Sequence, residues 1–192
     1  MVDQLRRIGR FDDTRVLPTG GSANPWGYRN HVRFTAKARG EVGFPDLRDY
    51  VERSFRQIAD KKGLDLSIDL DPGLPKTIIT DSKRLQQVLL NLVANSLKFT
   101  DKGKVSLRIS VAKDGWRPGH KVLDRAEGVL SFCVTDTGIG IPVDKQDLIF
   151  EAFQQADMTT SRKYGGTGLG LTISREIAKV LGGEIHVRSG EQ

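Results

Sequence analysis

Cysteine is almost absent from this sequence, with a single residue, Cys133, in 192 positions. One thiol cannot form an intrachain disulfide, which excludes a small secreted domain held together by disulfides. Cys133 lies in the apolar run VLSFCV, so we expect it to be a core residue rather than a nucleophile or a metal ligand. Because the N-terminus also lacks the apolar core of a signal peptide, the sequence predicts a reducing, cytoplasmic setting.

Long hydrophobic stretches are missing too, since no run approaches the roughly 20 apolar residues that a membrane-spanning helix needs. The chain is 38% hydrophobic and 28% charged, which is typical of a globular protein with one domain of ordinary size. Its formal net charge of +6 is compatible with an anionic partner, either a nucleotide or a nucleic acid, but requires neither.

Residues 1–44 differ in character from the rest of the chain. Four arginines precede a loop-like stretch, LPTGGSANPWG, and the next run, YRNHVRFTAKARGEVGF, alternates like a β-hairpin with its turn at Arg39–Gly40. Basic residues beside Trp26 and Phe34 suit weak nucleic-acid binding, and a hairpin that covers a sheet edge is an equally good interpretation. We therefore predict a basic N-terminal segment, 1–44, followed by a domain at 45–192.

From residue 45 onward, helical and strand patterns succeed one another. Pro45 begins a helix that Gly63 ends, and the alternating run LDLSIDL predicts a strand. The short strand KTIIT leads to a helix capped by Asp81 or Ser82. Two more strands, VSLRISV and VLSFCVTD, follow before the last helical pattern, whose apolar face is predicted to hold Ile173, Ile177, Val180 and Leu181.

One helix carries a polar stripe that an ordinary solvated surface does not explain. Its members, at helical spacing, are Arg84, Gln87, Asn91, Asn95 and Lys98. Asparagine is a poor helix former, and amide oxygens suit Mg²⁺ that bridges substrate phosphates. Lys98 adds a mobile positive charge for phosphate. The alternative interpretation is that both asparagines are incidental surface residues.

Two glycine-rich segments, DTGIGIP and GGTGLGL, lie downstream of this helix. Glycine lets a backbone approach a ligand closely, and the second segment leads directly into a helix, whose N-terminal N–H groups favour phosphate. Asp136 ends a buried strand, where a carboxylate can accept a hydrogen bond from an exocyclic amine. Alternatively, the glycines form only a flexible loop and Asp136 only stabilises a turn.

Four motifs occur in order: LNLVANSLKFT, DTGIGIP, IFEAFQQAD and GGTGLGL. They resemble the N, G1, F and G2 boxes of the histidine kinase ATP-binding domain, in the superfamily of gyrase, Hsp90, histidine kinases and MutL. The resemblance runs from about residue 45 to 189, and QQADMTTSRKYGGTGLGL is most similar to bacterial hybrid sensor kinases. It implies a two-layer α/β (α+β) sandwich of the Bergerat type, with helices on one face of a mixed sheet. Nucleotide would lie between the helices and a lid at 155–166.

The resemblance also assigns roles. Asn95 would bind Mg²⁺, and Asn91 stands where ATPases of the superfamily carry a general-base glutamate. Asp136 would accept from the adenine amino group, and Phe150 and Phe153 would anchor the lid. The other residues implied in ATP binding are Lys98, Phe99, Gly138, Gly140, Arg162, Lys163, Gly166, Thr167, Gly168, Leu169, Gly170 and Leu171.

The sequence departs from the family in three respects, one of which is that residues 1–44 stand where the helical hairpin of a histidine kinase would end. His31, His120 and His186 lack the context of a phosphoacceptor histidine, so we expect a helical hairpin carrying that histidine to be supplied in trans. The family's usual last strand, of the type GSTFTLYLP, is missing, and we expect the 1–44 hairpin to replace it at the sheet edge. The stretch PWGYRNHVRF resembles RNA uracil-5-methyltransferases, without their cofactor motifs or catalytic cysteine, which suggests a fusion.

The sequence thus predicts an ATP- and Mg²⁺-binding module of a bacterial sensor histidine kinase, truncated, and inactive or very slow in isolation. Two alternatives stay open. One is a non-catalytic nucleotide-binding or engineered chimeric domain. The other is an RNA-binding hybrid that acts through its basic N-terminus.

Overall fold

The computed structural model describes residues 41–126, 128–151 and 168–189, together with the backbone of residues 28–34. Three α-helices and seven β-strands are present in these ranges. In chain order they are β1 (Tyr28–Phe34), β2 (Glu41–Gly43), α1 (Phe44–Lys62), β3 (Asp65–Leu70), β4 (Thr77–Ile79), α2 (Ser82–Phe99), β5 (Lys104–Ala112), β6 (Val129–Asp136), α3 (Gly170–Val180) and β7 (Glu184–Arg188). Short 3-10 turns lie at 123–125, 143–145 and 148–150.

Helix boundaries follow the capping chemistry of the sequence. Pro45 lies in the first turn of α1, and Gly63 ends the helix with a left-handed φ of 66°. The Asp81 side chain caps α2 by accepting from the Arg84 N–H at 3.1 Å. At the C-terminal end of α2, the ammonium group of Lys62 donates to the carbonyls of Leu97 at 2.6 Å and Thr100 at 3.1 Å. These bonds satisfy acceptors that a helix end leaves free.

The main sheet has five strands in the order β3-β5-β6-β1-β7, and β2 pairs separately with β4. β3 and β5 are parallel, whereas the pairs β5–β6, β6–β1 and β1–β7 are antiparallel. The mixed α/β architecture predicted from the sequence is therefore confirmed.

One face of the sheet forms the core with the helices. A continuous row crosses all five strands at Leu70, Ile109, Phe132, Val32 and Ile185. The apolar stripes of α1 and α2 are buried against this side of the sheet, with Leu47, Val51, Leu85, Val88, Leu89 and Leu92 almost inaccessible. Each such side chain contributes about 1.5–3 kcal/mol through removal from water.

Two predictions about individual residues of this core are wrong. Cys133 is only half-buried, with its Sγ 3.5 Å from the Thr135 hydroxyl. The reason is that it lies on the opposite face of β6 from the buried residues Phe132 and Val134. On α3, Val180 is 76% exposed, and Ile173 is 44% exposed. The buried face of that helix is instead formed by Ser174, Ile177, Ala178 and Leu181.

The predicted hairpin around Arg39–Gly40 is not formed by the described strands. β1 lies between β6 and β7, and β2 pairs with β4 in the other sheet. The strand before the proposed turn therefore enters the sheet interior instead of covering an edge, because long-range pairing replaces the local pairing that alternation suggested. The domain boundary at residues 44 and 45 stays a prediction, although strands before it pair with strands after it. In the described residues, no helix has the length and apolarity needed to cross a bilayer.

Candidate functional site

Three elements meet at one end of the molecule: the second half of α2, the end of β6 with the loop that follows, and the start of α3. The helix α2 packs against both β6 and α3. This arrangement brings together the polar stripe of α2, Asp136 and the residues around Gly170, which lie far apart in the sequence.

Asp136 is the buried charge of the site. It is 3% exposed at the last position of β6, and its Oδ1 accepts from the Gly138 N–H at 2.9 Å. Burial raises the pKa of this carboxyl to about 6, although the Gly138 N–H and the Ser96 hydroxyl act in the opposite direction. A carboxyl held in this way is a strong acceptor with capacity left for a ligand.

Ser96 is a site residue that the sequence analysis missed. Its hydroxyl is close enough to lower the pKa of Asp136, but it does not meet hydrogen-bond geometry, and its buried Oγ has no partner. A buried hydroxyl without a partner costs free energy unless a ligand or a water satisfies it. The sequence signal that could have identified Ser96 is its position on the apolar stripe of α2, four residues after Leu92, where a polar side chain is unusual.

The loop after β6 requires glycine at two positions. A Cβ at Gly138 would clash with the Phe99 carbonyl and lie 2.9 Å from the Thr100 hydroxyl. Gly140 has a φ of 74°, which other residues rarely adopt. Because the Ile139 N–H also donates to the Phe99 carbonyl at 3.3 Å, the loop is held against the end of α2. Phe99 is half-buried there.

The polar stripe of α2 faces two different environments. Asn91 contacts α3, since its Nδ2 donates to the Ser174 hydroxyl at 2.9 Å. Asn95 and Lys98, one and two turns further on, are half-buried, and the Lys98 ammonium lies 4.9 Å from the centre of the Phe99 ring. The asparagine pair thus has one member that joins two helices and one nearer the loop after β6.

The start of α3 provides backbone donors. Gly168 has a φ of 69°, the helix begins at Gly170, and no side chain caps its N-terminus. A Cβ at Gly170 would clash with the Asn91 Oδ1, so glycine lets α3 approach α2 closely. Leu169 precedes the helix, and Leu171 packs partly buried against the core. The free N–H groups of such a terminus favour an anion.

A second contact fixes α3 to the turn that precedes the lid segment. The Thr172 hydroxyl donates to the Phe150 carbonyl at 2.9 Å, and the Arg175 guanidinium lies 5.5 Å from the centre of the Phe150 ring. Phe150 itself is buried. The remaining predicted residues of this region, Phe153, Arg162, Lys163, Gly166 and Thr167, lie outside the described residues.

Comparison with known proteins shows which family has this arrangement. The family described as "Histidine kinase-, DNA gyrase B-, and HSP90-like ATPase" matches residues 80–192, which is more than half of the chain. The chain belongs to this ATPase family. Relatives include the autoinducer 2 sensor kinase/phosphatase LuxQ of Vibrio harveyi, 41% identical over 77% of this chain, and hybrid signal transduction histidine kinase A of Dictyostelium discoideum, 45% identical over 69%.

Solved structures of histidine kinases share this ATPase-family fold. Full-length ShkA, solved in complex with AMPPNP, matches with a TM-score of 0.59 and 31% identity, over 77% of this chain and 30% of that one. The catalytic domain of histidine kinase ThkA matches over 77% of this chain and 93% of its own, with a TM-score of 0.54 and 22% identity. The chain spans only 16% of the length of LuxQ and 6% of the Dictyostelium kinase.

Proposed function

We propose that this ATPase-family domain is the ATP- and Mg²⁺-binding, phosphoryl-donor module of a sensor histidine kinase. The observation that carries the proposal is the buried Asp136 beside the buried Ser96 hydroxyl, at the same end of the molecule as the uncapped N-terminus of α3. One end of this arrangement suits an amine-bearing base, and the other suits phosphates. The structure of ShkA with AMPPNP supports an ATP-like ligand.

At the base end, Asp136 would accept a hydrogen bond from the adenine 6-amino group. Ser96 would complete the edge of the pocket, either directly or through a water, since its Oγ has capacity left. Gly138 keeps the loop close to Asp136 and to the Phe99 carbonyl, and the Phe99 ring would cover the base. Guanine presents a carbonyl at the equivalent position, which would place two acceptors face to face.

At the phosphate end, the N–H groups at the start of α3 would bind the anion, with Lys98 as a mobile counter-charge. Arg162, Lys163, Gly166 and Thr167 enter this part of the proposal only through the family resemblance. Asn95 is the residue of this chain that would hold Mg²⁺. A single half-buried amide fits a cation that keeps several waters and binds mainly to substrate phosphates.

Slow turnover follows from Asn91. An amide cannot take a proton from water, and this one is already hydrogen-bonded to Ser174. His120 and His186 have local roles, because the His120 Nδ1 accepts from the Leu123 N–H and His186 pairs with Glu184. We therefore propose that phosphoryl transfer needs a histidine on a helical hairpin supplied in trans, positioned in line with the γ-phosphoryl group.

Residues 1–44 add no second activity to this proposal. β1 lies inside the sheet, which favours a structural role for the part of this segment that the structure describes. Nucleic-acid binding by the basic residues, the resemblance to RNA uracil-5-methyltransferases, the origin by fusion and the cytoplasmic location stay predictions.

A titration of the chain with ATP and GTP, with and without Mg²⁺, tests the base end of the site. Asp136→Asn should weaken ATP binding and reduce the preference for ATP over GTP. The matched control is Asp69→Asn, at an exposed position of β3. Unchanged selectivity in a folded Asp136→Asn variant would reject the assignment of this residue.

Incubation with γ-labelled ATP tests the phosphoryl-donor role. The chain alone should stay unlabelled, whereas an added histidine-bearing hairpin should acquire acid-labile label. Acid-labile label on the chain alone would contradict the need for a hairpin in trans. No binding of an ATP analogue by the folded chain would reject the function as a whole.

A further inference from the structure

The last turn of α2 forms one side of the base end of the proposed nucleotide site. The Phe99 carbonyl accepts from the Ile139 N–H at 3.3 Å, and a Cβ at Gly138 would clash with the same carbonyl. Thr100, the residue that ends the helix, is fully buried, and its hydroxyl lies 2.9 Å from the position of that Cβ. The position of this turn therefore decides how closely the glycine loop can lie to Asp136.

The carbonyl groups at the end of α2 need hydrogen-bond donors from elsewhere in the fold. A helix leaves its last carbonyls without intrahelical donors and carries a partial negative charge there. α1 ends at a left-handed Gly63, whose N–H donates to the Asp60 carbonyl at 3.1 Å. α2 ends instead at Thr100 in an extended conformation, and the Thr100 hydroxyl donates to the Ser96 carbonyl at 2.7 Å. Later carbonyls of the same turn require a different donor.

That donor is the side chain of Lys62, the last residue of α1. Its ammonium lies 2.6 Å from the Leu97 carbonyl, 3.4 Å from the Lys98 carbonyl and 3.1 Å from the Thr100 carbonyl. An ammonium group has three donors and a positive charge, so it matches both the number of these acceptors and the sign of a helix C-terminus. The backbone of Lys62 is held close to the core, because Leu64, two residues later, is buried.

Other contacts hold the same region independently of the ammonium. The Thr137 hydroxyl accepts from the Lys104 N–H at 3.0 Å and donates to the Lys102 carbonyl at 3.2 Å, which attaches the loop after β6 to the turn after α2. Leu97 is buried and fixes the last turns of α2 to the core. Loss of the Lys62 contacts should therefore change the position and order of the last carbonyls, and not the formation of α2.

We propose that Lys62 is a positioning residue for the base end of the nucleotide site. Its ammonium holds the last turn of α2, and that turn holds the glycine loop beside Asp136. Without the ammonium, the carbonyls turn towards water, and the end of the helix frays at a low free-energy cost. Part of the binding free energy is then used to order Phe99 and Gly138. The effect on the nucleotide rests on the proposed function, whereas the effect on the loop does not.

The test compares Lys62→Met with Lys61→Met, which removes the same charge from the neighbouring exposed residue of α1. Methionine keeps an unbranched stem but has no N–H donors. Adenosine and a non-hydrolysable ATP analogue are titrated at a temperature where melting curves show every variant to be folded. Lys62→Met should lower both affinities by the same factor, at least about threefold, because the lost contacts act on the base. Lys61→Met should bind both ligands as the parent chain does.

Two further measurements separate positioning from general destabilisation. The preference for ATP over GTP should fall in Lys62→Met, because a less ordered loop discriminates less between bases. In the protein without ligand, amide hydrogen exchange should accelerate at Ile139 and stay unchanged at Leu107 in the middle of β5. Lys62→Arg should lose less affinity than Lys62→Met, since it keeps the charge and has N–H donors.

Several results would overturn the role of Lys62. They are an adenosine affinity in Lys62→Met equal to that of the parent, a loss confined to the ATP analogue, an equal loss in Lys61→Met, and a larger loss in Lys62→Arg than in Lys62→Met. The failure of the proposed function looks different. If the folded parent chain binds no nucleotide, the function and the effect of Lys62 on the base are both rejected, while exchange at Ile139 still shows whether Lys62 holds the loop.

Discussion

The five-stranded sheet consists of two halves that are built in different ways. β3, β5 and β6, the continuous half, follow one another from Asp65 to Asp136. Their core rows pair apolar residues, as in Ile68, Leu107 and Val134, except that Val105 lies opposite the buried Asp136. β1 and β7, the dependent half, come from opposite ends of the described chain, and their register includes Arg29 opposite Arg188. The candidate site lies where the halves meet, with Asp136 on one side and α3 on the other. We expect that a site in that position can be disrupted without unfolding of the whole domain.

Truncation of buried side chains should produce the largest difference in stability and hydrogen exchange between the two halves. Leu107→Ala, in the continuous half, should lower the free energy of unfolding by about 2–5 kcal/mol, because Leu107 is fully buried between neighbouring strands. Hydrogen exchange should accelerate throughout the sheet. Ile185→Ala should accelerate exchange mainly in β1, β7 and α3. Equal acceleration of exchange in both halves by Ile185→Ala would contradict this division.

The pH dependence of stability tests Asp136, which lies where the two halves of the sheet meet. Because burial raises the pKa of Asp136 from 3.8 to about 6, the folded state binds its proton more tightly than the unfolded state. The stability contributed by the protonated form is complete below pH 4 and is lost as the pH rises towards 6, by on the order of 3 kcal/mol. Asp136→Asn should lack this decline. Unfolding curves of the two proteins at pH 4 and 7 measure it, and parallel profiles would contradict the shift.

For ligand binding, the pKa of the Asp136 carboxyl leads us to expect the opposite pH dependence from that of stability. An ionised Asp136 accepts more strongly than a protonated one, so adenosine affinity should fall as the pH drops below about 6. Adenosine is the suitable probe because it carries no phosphate that titrates in this range.

Asn95→Ala should affect binding and leave both halves intact. Asn95 is half-buried on the polar stripe of α2, so its truncation spares the core. Mg²⁺-dependent ATP binding should weaken by about tenfold, or about 1.4 kcal/mol. Titrations at saturating and zero Mg²⁺ isolate the effect. An equal loss without Mg²⁺ would show that Asn95 contacts the nucleotide rather than the metal.

The smallest effect concerns the like-charge pair of the dependent half. Arg29→Thr should raise the melting temperature slightly, by removing repulsion worth about 0.2–1 kcal/mol from the Arg188 position. Arg33→Thr is the matched control, since Arg33 lies opposite Glu184 and its loss should lower stability. Added salt should reduce both differences. Changes of the same sign in the two variants would argue against the register of β1.

The elements of the continuous half were predictable because their signals are local. The spacing of Leu85, Val88 and Leu92 indicated α2, Gly63 marked the end of α1, and alternation indicated β5 and β6. The partner of β1 was not predictable in this way. Alternation shows that a strand has two faces, but not which strands it joins, so the local hairpin was the natural and incorrect choice.

The site was predictable to a similar extent. The sequence pointed to Asp136, Asn95 and Gly170, and the structure places all three in the same region of the fold. Their roles stay predictions. Ser96 was missed because it lies on an apolar stripe, and the hydrogen bond from Asn91 to Ser174 was missed because it joins residues far apart in the chain.

The register of β1 has a consequence for the order of the strands along the chain. β7 runs antiparallel to β1, so its last residue, Arg188, lies beside Arg29 near the start of β1. A short turn could join these two ends and convert the pair into an ordinary hairpin. A circular permutant that begins near Glu41 and ends with residues 28–34 would then build the same sheet with fewer long-range connections. Because contacts closer in sequence form faster, such a permuted chain should fold more rapidly than the chain in its present order.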